Sequence, residues 1–146
     1  MATLPTEIEL QVVTPQRHVL QETVQSVELP GADGYLGVLP GHAPLLTELG
    51  IGILAYVKDG KAHYLTIAHG YSEVLPDRVI VLAEISEKAE EIDVERSRAA
   101  KDRAQSALAK TPAGDPEWQS TAFDLERALV RLQAASRVGT SRGDGH

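Results

Sequence analysis

The sequence predicts an α+β protein in which a β domain comes first and a helical hairpin follows. Short apolar alternations broken by Gly and Pro fill the first part, an Asp-Gly turn joins two of them, and near Ser86 the composition shifts to Ala, Arg, Glu and Gln. A chain of 146 residues builds one ordinary core with an appendage rather than two full-sized domains. These observations set the boundaries at 1–86 for the β domain, 87–138 for the hairpin and 139–146 for a Gly/Ser/charge-rich tail expected to be disordered.

Within the β domain, Ile8, Leu10 and Val12 alternate with polar residues, as do Ile51, Ile53, Ala55 and Val57, then Leu65 and Ile67. A period of two places each set on one face of a strand. Between two such runs lies Lys58-Asp59-Gly60-Lys61, and Asp-Gly supplies the positive φ angles that a two-residue hairpin turn requires. Breaks at Thr14-Pro15, Pro30-Gly31, Pro40-Gly41 and Leu75-Pro76-Asp77 give several short, closely spaced strands, the pattern of a sandwich or barrel, with the last strand expected over Arg78 to Ala83.

The helical part begins at Asp93, a good N-cap, with Glu95 in the first turn of a helix reaching about Ala109. Thr111-Pro112-Ala113-Gly114-Asp115-Pro116 then breaks the chain, and Asp115 before Pro116 reads as a second N-cap with proline at the first helical position. The second helix places Trp118, Ala122, Leu125, Leu129 and Leu132 on one face, suited to an antiparallel partner. Because the first helix offers mostly alanine, and apolar burial yields about 25 cal/mol per Å², the hairpin is marginal alone and needs a surface to dock on.

Composition also excludes functions. No apolar run approaches the roughly 18 to 20 residues that span a bilayer, so no direct membrane insertion is expected. The N-terminus has neither the basic and apolar regions of a secretory signal nor the Arg-rich character of a transit peptide. With no cysteine there is no disulfide, thiolate metal site or thiol nucleophile. A net charge of −7 argues against nucleic-acid binding. That charge is concentrated early: residues 1–86 carry ten acidic and four basic side chains, and residues 87–146 carry eleven and ten. His63 and His69 lie roughly 20 Å apart along an extended strand, too far for one metal ion on that strand. No G-x-S-x-G elbow or paired acidic motif marks a catalytic centre, so the chain is expected not to be an enzyme.

The densest motif is Gly34-Tyr35-Leu36-Gly37-Val38-Leu39-Pro40-Gly41-His42-Ala43-Pro44-Leu45-Leu46. Physically it describes a corner of a β-sandwich, and it matches no nucleotide-binding glycine loop. Taken with Leu10-Gln11-Val12-Val13-Thr14-Pro15, the Val79-to-Ala83 strand and the two closing helices, it resembles the epsilon subunit family of bacterial F-type ATP synthase, the counterpart of the mitochondrial delta subunit.

The resemblance implies a ten-stranded β-sandwich seated on the c-ring and against the gamma subunit, as part of a rotor that couples ring rotation to the catalytic head. It further implies a mobile hairpin that restrains ATP hydrolysis by extending into the alpha/beta head, and a peripheral location on the cytoplasmic face of the inner (plasma) membrane. Tyr35 and His42 fall in the family's partner-contact loop. Tyr35 stands where many members carry glutamate, so a contact there would be made by packing or hydrogen bonding; His42 reads equally as a turn histidine binding backbone groups. Arg127, Arg131 and Arg137 are the implied contacts of the extended hairpin.

Ile92-Asp93-Val94-Glu95-Arg96-Ser97 is similar to the I-D-x-x-R-A motif of epsilon subunits that bind ATP on the folded hairpin, with Ser97 in place of the last alanine. No cofactor is required on this reading, and ATP enters as a regulatory ligand. The implied site comprises Glu87, Ile92, Asp93, Arg96, Arg103, Arg127 and Arg131. Arg127 and Arg131, four apart, share one helix face and suit a phosphate group. The same residues also fit a plain helix start, with Asp93 as cap and Arg96 paired to it at i+3. From composition alone, a free-standing β-sandwich binding module with a helical oligomerisation tail fits as well.

Overall fold

The computed structural model describes residues 4–143, and the surroundings of side chains from 4 to 138. Strands β1 (Ile8–Val13), β2 (His18–Val24), β3 (Ser26–Gly31), β4 (Gly34–Val38), β5 (Leu45–Lys58), β6 (Lys61–Leu75) and β7 (Arg78–Lys88) precede a 3₁₀ turn (Ala89–Glu91) and helices α1 (Val94–Lys110) and α2 (Trp118–Gly143). The strands form one sheet in the order β2-β1-β7-β6-β5-β3-β4. All neighbours are antiparallel except β1 and β7.

The alternation in β1 holds as read: Ile8, Leu10 and Val12 are fully buried. The hairpin between β5 and β6 is also where Asp-Gly predicts it, with Asp59 at φ 52° and Gly60 at φ 77°, and Lys58 opposite Lys61. The start of α1 is capped as expected, whereas α2 begins at Trp118, so Pro116 lies in the preceding turn rather than at the first helical position and Asp115 shapes that turn. The Asp93 carboxylate accepts from the Arg96 N–H at 3.0 Å, and Asp115 accepts from the Glu117 N–H at 2.8 Å.

The α+β sandwich-plus-hairpin class stands, but seven continuous strands take the place of the expected ten. The reason lies in one line across the sheet. Pairing between β5 and β6 skips the Gly50–His69 position, and pairing between β6 and β7 skips His69–Glu84. At this line His69 adopts φ 60° and Gly70 φ 137°. A Cβ on Gly70 would lie 2.0 Å from the Leu82 carbonyl oxygen, so no side chain fits. Counting each of the three long strands as two segments divided at this line recovers ten.

The same line shifts which residues face inward. Core positions on β7 are Val79, Val81 and Ala83 before it and Ser86 after it; on β6 they are Leu65 and Ile67 before it and Ser72 and Val74 after it. The register is the same on both sides of the line, with Leu49–Gly70 and Ile51–Ala68 in step, so it is the non-extended backbone at the line that turns the following side chains to the other face. On β5 the core residues beyond the line are therefore Leu54 and Tyr56, and the alternation read at Ile51, Ile53, Ala55 and Val57 belongs to the outer face. The last strand, expected to stop at Ala83, continues to Lys88.

That outer face is where the hairpin docks. Ile53 joins Ala89, Ile92 and Ala134 in a second apolar cluster, flanked by Tyr64, Val130, Ala135 and Val138. Helix α2 lies against β5 and β6, and α1 packs on α2. The stripe read for α2 as suited to an antiparallel partner helix leaves Leu129 47% and Trp118 38% exposed, and the buried positions are Ala128 and Ala134, the latter on the sheet. Small residues win because α2 is pressed between the sheet and α1, where alanine permits close approach. Helix α2 also runs on to Gly143, into the segment 139–146 expected as a tail; residues 144–146 lie outside the described residues.

Candidate ligand cleft between sheet and hairpin

The docked hairpin encloses a cleft of about 410 Å³. Its sheet wall carries Ile51, Thr66, Ala68, Ile85 and Glu87; α1 contributes Ala100, Arg103, Ala104 and Ala107, and α2 contributes Asp124, Arg127, Ala128 and Arg131. The walls are apolar where alanine and isoleucine face each other, and guanidinium groups stand among them. An apolar shelf beside clustered cations suits an anion joined to a flat apolar group.

Four of the seven residues implied by the resemblance thus meet here: Glu87, Arg103, Arg127 and Arg131. Glu87 sits near the end of β7, and its N–H donates to Thr66 Oγ1 at 3.1 Å. Its carboxylate faces α2, where Arg131 Nη2 donates to Oε2 at 3.2 Å. Arg131 Nε lies 2.8 Å from Oε1 without aiming its N–H at it, and that nitrogen has no other hydrogen-bond partner. Arg127 is held by Asp124 one turn earlier on α2. Among the described residues Arg103 has no ion-pair partner, so its charge is the one most open to an incoming anion.

Ile92, Asp93 and Arg96 do not line the cleft. Ile92 is buried in the docking cluster and Asp93 is engaged as the cap of α1. Ser97, in place of the motif's alanine, is fully buried and donates to the Asp93 carbonyl at 2.8 Å. This stretch anchors the start of the hairpin on the sheet, and the cleft opens further along.

The resemblance's contact residues fall in two places. His42 lies in the β4–β5 loop, its Nδ1 2.6 Å from the Ala43 carbonyl oxygen and its N–H donating to the Leu39 carbonyl at 3.1 Å. In the same loop and at the start of β5, Leu39, Leu45 and Leu46 expose apolar side chains, and Tyr35 on β4 is exposed as well. Arg137, by contrast, stacks over the Tyr64 ring at 5.3 Å on the docked face of α2. His63 stacks on Tyr56 at 5.0 Å, and His69 meets the edge of Phe123 at 5.1 Å, which ties the early part of α2 to the kink line.

Apart from Glu87, the site residues expected from sequence include neither Asp124 nor the sheet wall. Asp124 stands three residues before Arg127, a spacing that signals a helix-surface pair. The wall residues were hidden by the shift of facing along β5 and β6.

Of two other ion pairs, one holds the turn that leads into the hairpin and the other joins β2 to β5. Arg17, in the β1–β2 turn, donates to Glu91 in the connecting turn at 2.8 Å, and this contact holds the Glu91 carboxyl below its ordinary range. Lys58 pairs with Glu22, which lowers the Glu22 carboxyl in the same way. Burial pushes the Tyr56 hydroxyl up to about 12.

These features define a class: a β-sandwich whose outer face receives a two-helix hairpin across a basic, alanine-lined cleft. The family model for the ATP synthase delta/epsilon chain β-sandwich domain matches residues 7–89, and that for its long α-helix domain matches residues 90–136. The chain belongs to the ATP synthase delta/epsilon chain family, and within the synthase it is a non-catalytic subunit. An ATP synthase epsilon chain of Trichlorobacter lovleyi is 47% identical over 90% of this chain and 96% of its own length, and one of Geotalea daltonii is 47% identical over 91% and 96%. A chain in the mitochondrial ATP synthase of Euglena gracilis, solved as an OSCP/F1/c-ring assembly, superposes with a TM-score of 0.77 at 26% identity, covering 92% of this chain and 84% of that one. No helix among the described residues is long and apolar enough to cross a membrane.

Proposed function

We propose that this chain is a central-stalk subunit of an F-type ATP synthase whose hairpin restrains ATP hydrolysis and whose docked form is favoured by bound ATP. The observation that carries this reading is that the cleft is shared: sheet residues form one wall and hairpin residues the other, so a ligand held there stabilises docking. A ligand shifts such an equilibrium only by its differential affinity for the docked form. The apolar seat is small, built from Ile53, Ala89, Ile92 and Ala134, which suits a reversible contact.

In this reading the exposed surface around Tyr35, Leu39, His42 and Leu46 meets the c-ring and gamma subunit, and the subunit lies peripherally on the cytoplasmic face of the membrane. When α2 leaves the sheet, Arg127, Arg131 and Arg137 lose their docked surroundings and become available to acidic surface in the alpha/beta head. Adenine lies on the alanine and isoleucine walls, and the phosphates meet Arg103 and Arg127.

The inhibitory part is tested by reconstituting the catalytic head and gamma with the full chain or with a chain ending at Lys88. Faster hydrolysis with the shortened chain is expected. Equal rates, with both chains bound one to one to gamma, would refute inhibition by the hairpin.

A further inference from the structure

The sheet has a second interruption, beside the hairpin's seat. Strands β3 and β5 pair regularly from Ser26–Val57 to Glu28–Ala55 and resume only at Gly31–Leu49. Within this gap Pro30 has no N–H to offer, and the β5 backbone from Gly50 to Leu54 has no strand partner on that side.

A side chain from β4 enters the gap. Tyr35, opposite Pro30 in the β3–β4 register, passes over Gly52, and its hydroxyl oxygen accepts from the Ile53 N–H at 3.1 Å. The fit is close: a Cβ on Gly52 would lie 2.7 Å from the Tyr35 hydroxyl oxygen and 2.7 Å from Pro30 Cβ. The hydroxyl therefore replaces a missing rung of the sheet. Ile53 itself is buried in the cluster with Ala89, Ile92 and Ala134 that receives α2.

We propose that Tyr35 is a positioning residue for the hairpin: its hydroxyl pins the β5 backbone at the residue whose side chain seats α2. This inference stands on geometry and does not depend on nucleotide binding. Tyr35 thus has its hydroxyl engaged within the chain while the residue as a whole stays 59% exposed. The hydrogen bond is consequently within reach of whatever packs on Tyr35.

The test is amide hydrogen exchange, followed by NMR on the full chain, in Tyr35→Phe. Losing one hydrogen bond at a part-buried amide is expected to speed exchange at Ile53 and along Ala128–Val138 by roughly three- to tenfold. Leu10 and Val12 in β1 serve as the reference and should not change. Gly52→Ala, which displaces the hydroxyl without altering it, should shift the same amides in the same direction. Unchanged exchange at Ile53, faster exchange at Ile53 without any change in α2, or equal acceleration in β1 would each overturn the proposal.

Discussion

Replacing Arg131 or Glu87 perturbs the ion pair that joins α2 to the last strand. Their side chains are 26% and 27% exposed, between a surface pair and a buried one. Exposed pairs contribute about 0–1 kcal/mol, and removing one partner of a buried pair costs about 3–5 kcal/mol because a charge is left stranded. The intermediate burial places each of Glu87→Gln and Arg131→Met near 2 kcal/mol, with a coupling of about 1.5 kcal/mol between them. Since about 1.4 kcal/mol is tenfold in an equilibrium constant, docking should weaken by more than tenfold in either single variant. The double variant should be little worse than the singles, because it strands no charge. Exchange of the Ala128–Val138 amides reads the docking equilibrium, with the amides of β1 as reference. If the two substitutions add within about 0.5 kcal/mol, the pair does not hold the hairpin and the reasoning fails.

Asp124 occupies Arg127 and adds negative charge at the cleft, so Asp124→Asn should tighten ATP binding several-fold in calorimetric titration; equal or weaker affinity would remove Asp124 from the account. Acid should loosen the connecting turn through Glu91 and the β2–β5 contact through Glu22. Glu91 and Glu22 have native carboxyl pKa values held below their ordinary 4.5 by hydrogen bonds from Arg17 and Lys58. A depressed native pKa contributes stability that is present above the unfolded value and lost as pH falls through the native one. Unfolding midpoints should therefore be flat above about pH 5 and drop below 4.5, and Arg17→Ala should flatten part of that drop.

Local chemistry was the part of the fold most legible in sequence. Asp59-Gly60 and Asp93 each satisfy a geometric demand within a few residues, and each does in the structure what its residue type requires, whereas Asp115-Pro116 forms the turn ahead of a helix that starts two residues later than its sequence suggests. The alternation in β5 was legible as a strand but not as a face. The interruption at Gly50, His69 and Glu84 exchanges inside for outside, and it comes from the non-extended backbone at His69 and Gly70, which apolar alternation does not signal. The α2 stripe, read for an antiparallel partner helix, carried no information about the face that meets the sheet. Leucine spacing identifies an amphipathic helix, yet the tight seat selects Ala128 and Ala134 and leaves Leu129 exposed.

The candidate site divides in the same way. Arg127 and Arg131 were legible because a four-residue spacing fixes a shared helix face. Glu87 and Arg103 entered through resemblance and came together through docking. The Ile92-Asp93-Arg96 spacing suits a helix cap and a ligand motif equally well; the structure shows Asp93 as the cap.

Titration of the isotope-labelled full chain with ATP, followed by NMR, tests the central claim most directly, that the docked hairpin and the sheet share one nucleotide cleft. The account predicts saturable shifts on both walls together, at Thr66, Ala68 and Glu87 on the sheet and at Arg103, Ala107, Arg127 and Ala128 on the helices. No saturable shift up to millimolar ATP, or shifts confined to one wall, would contradict it.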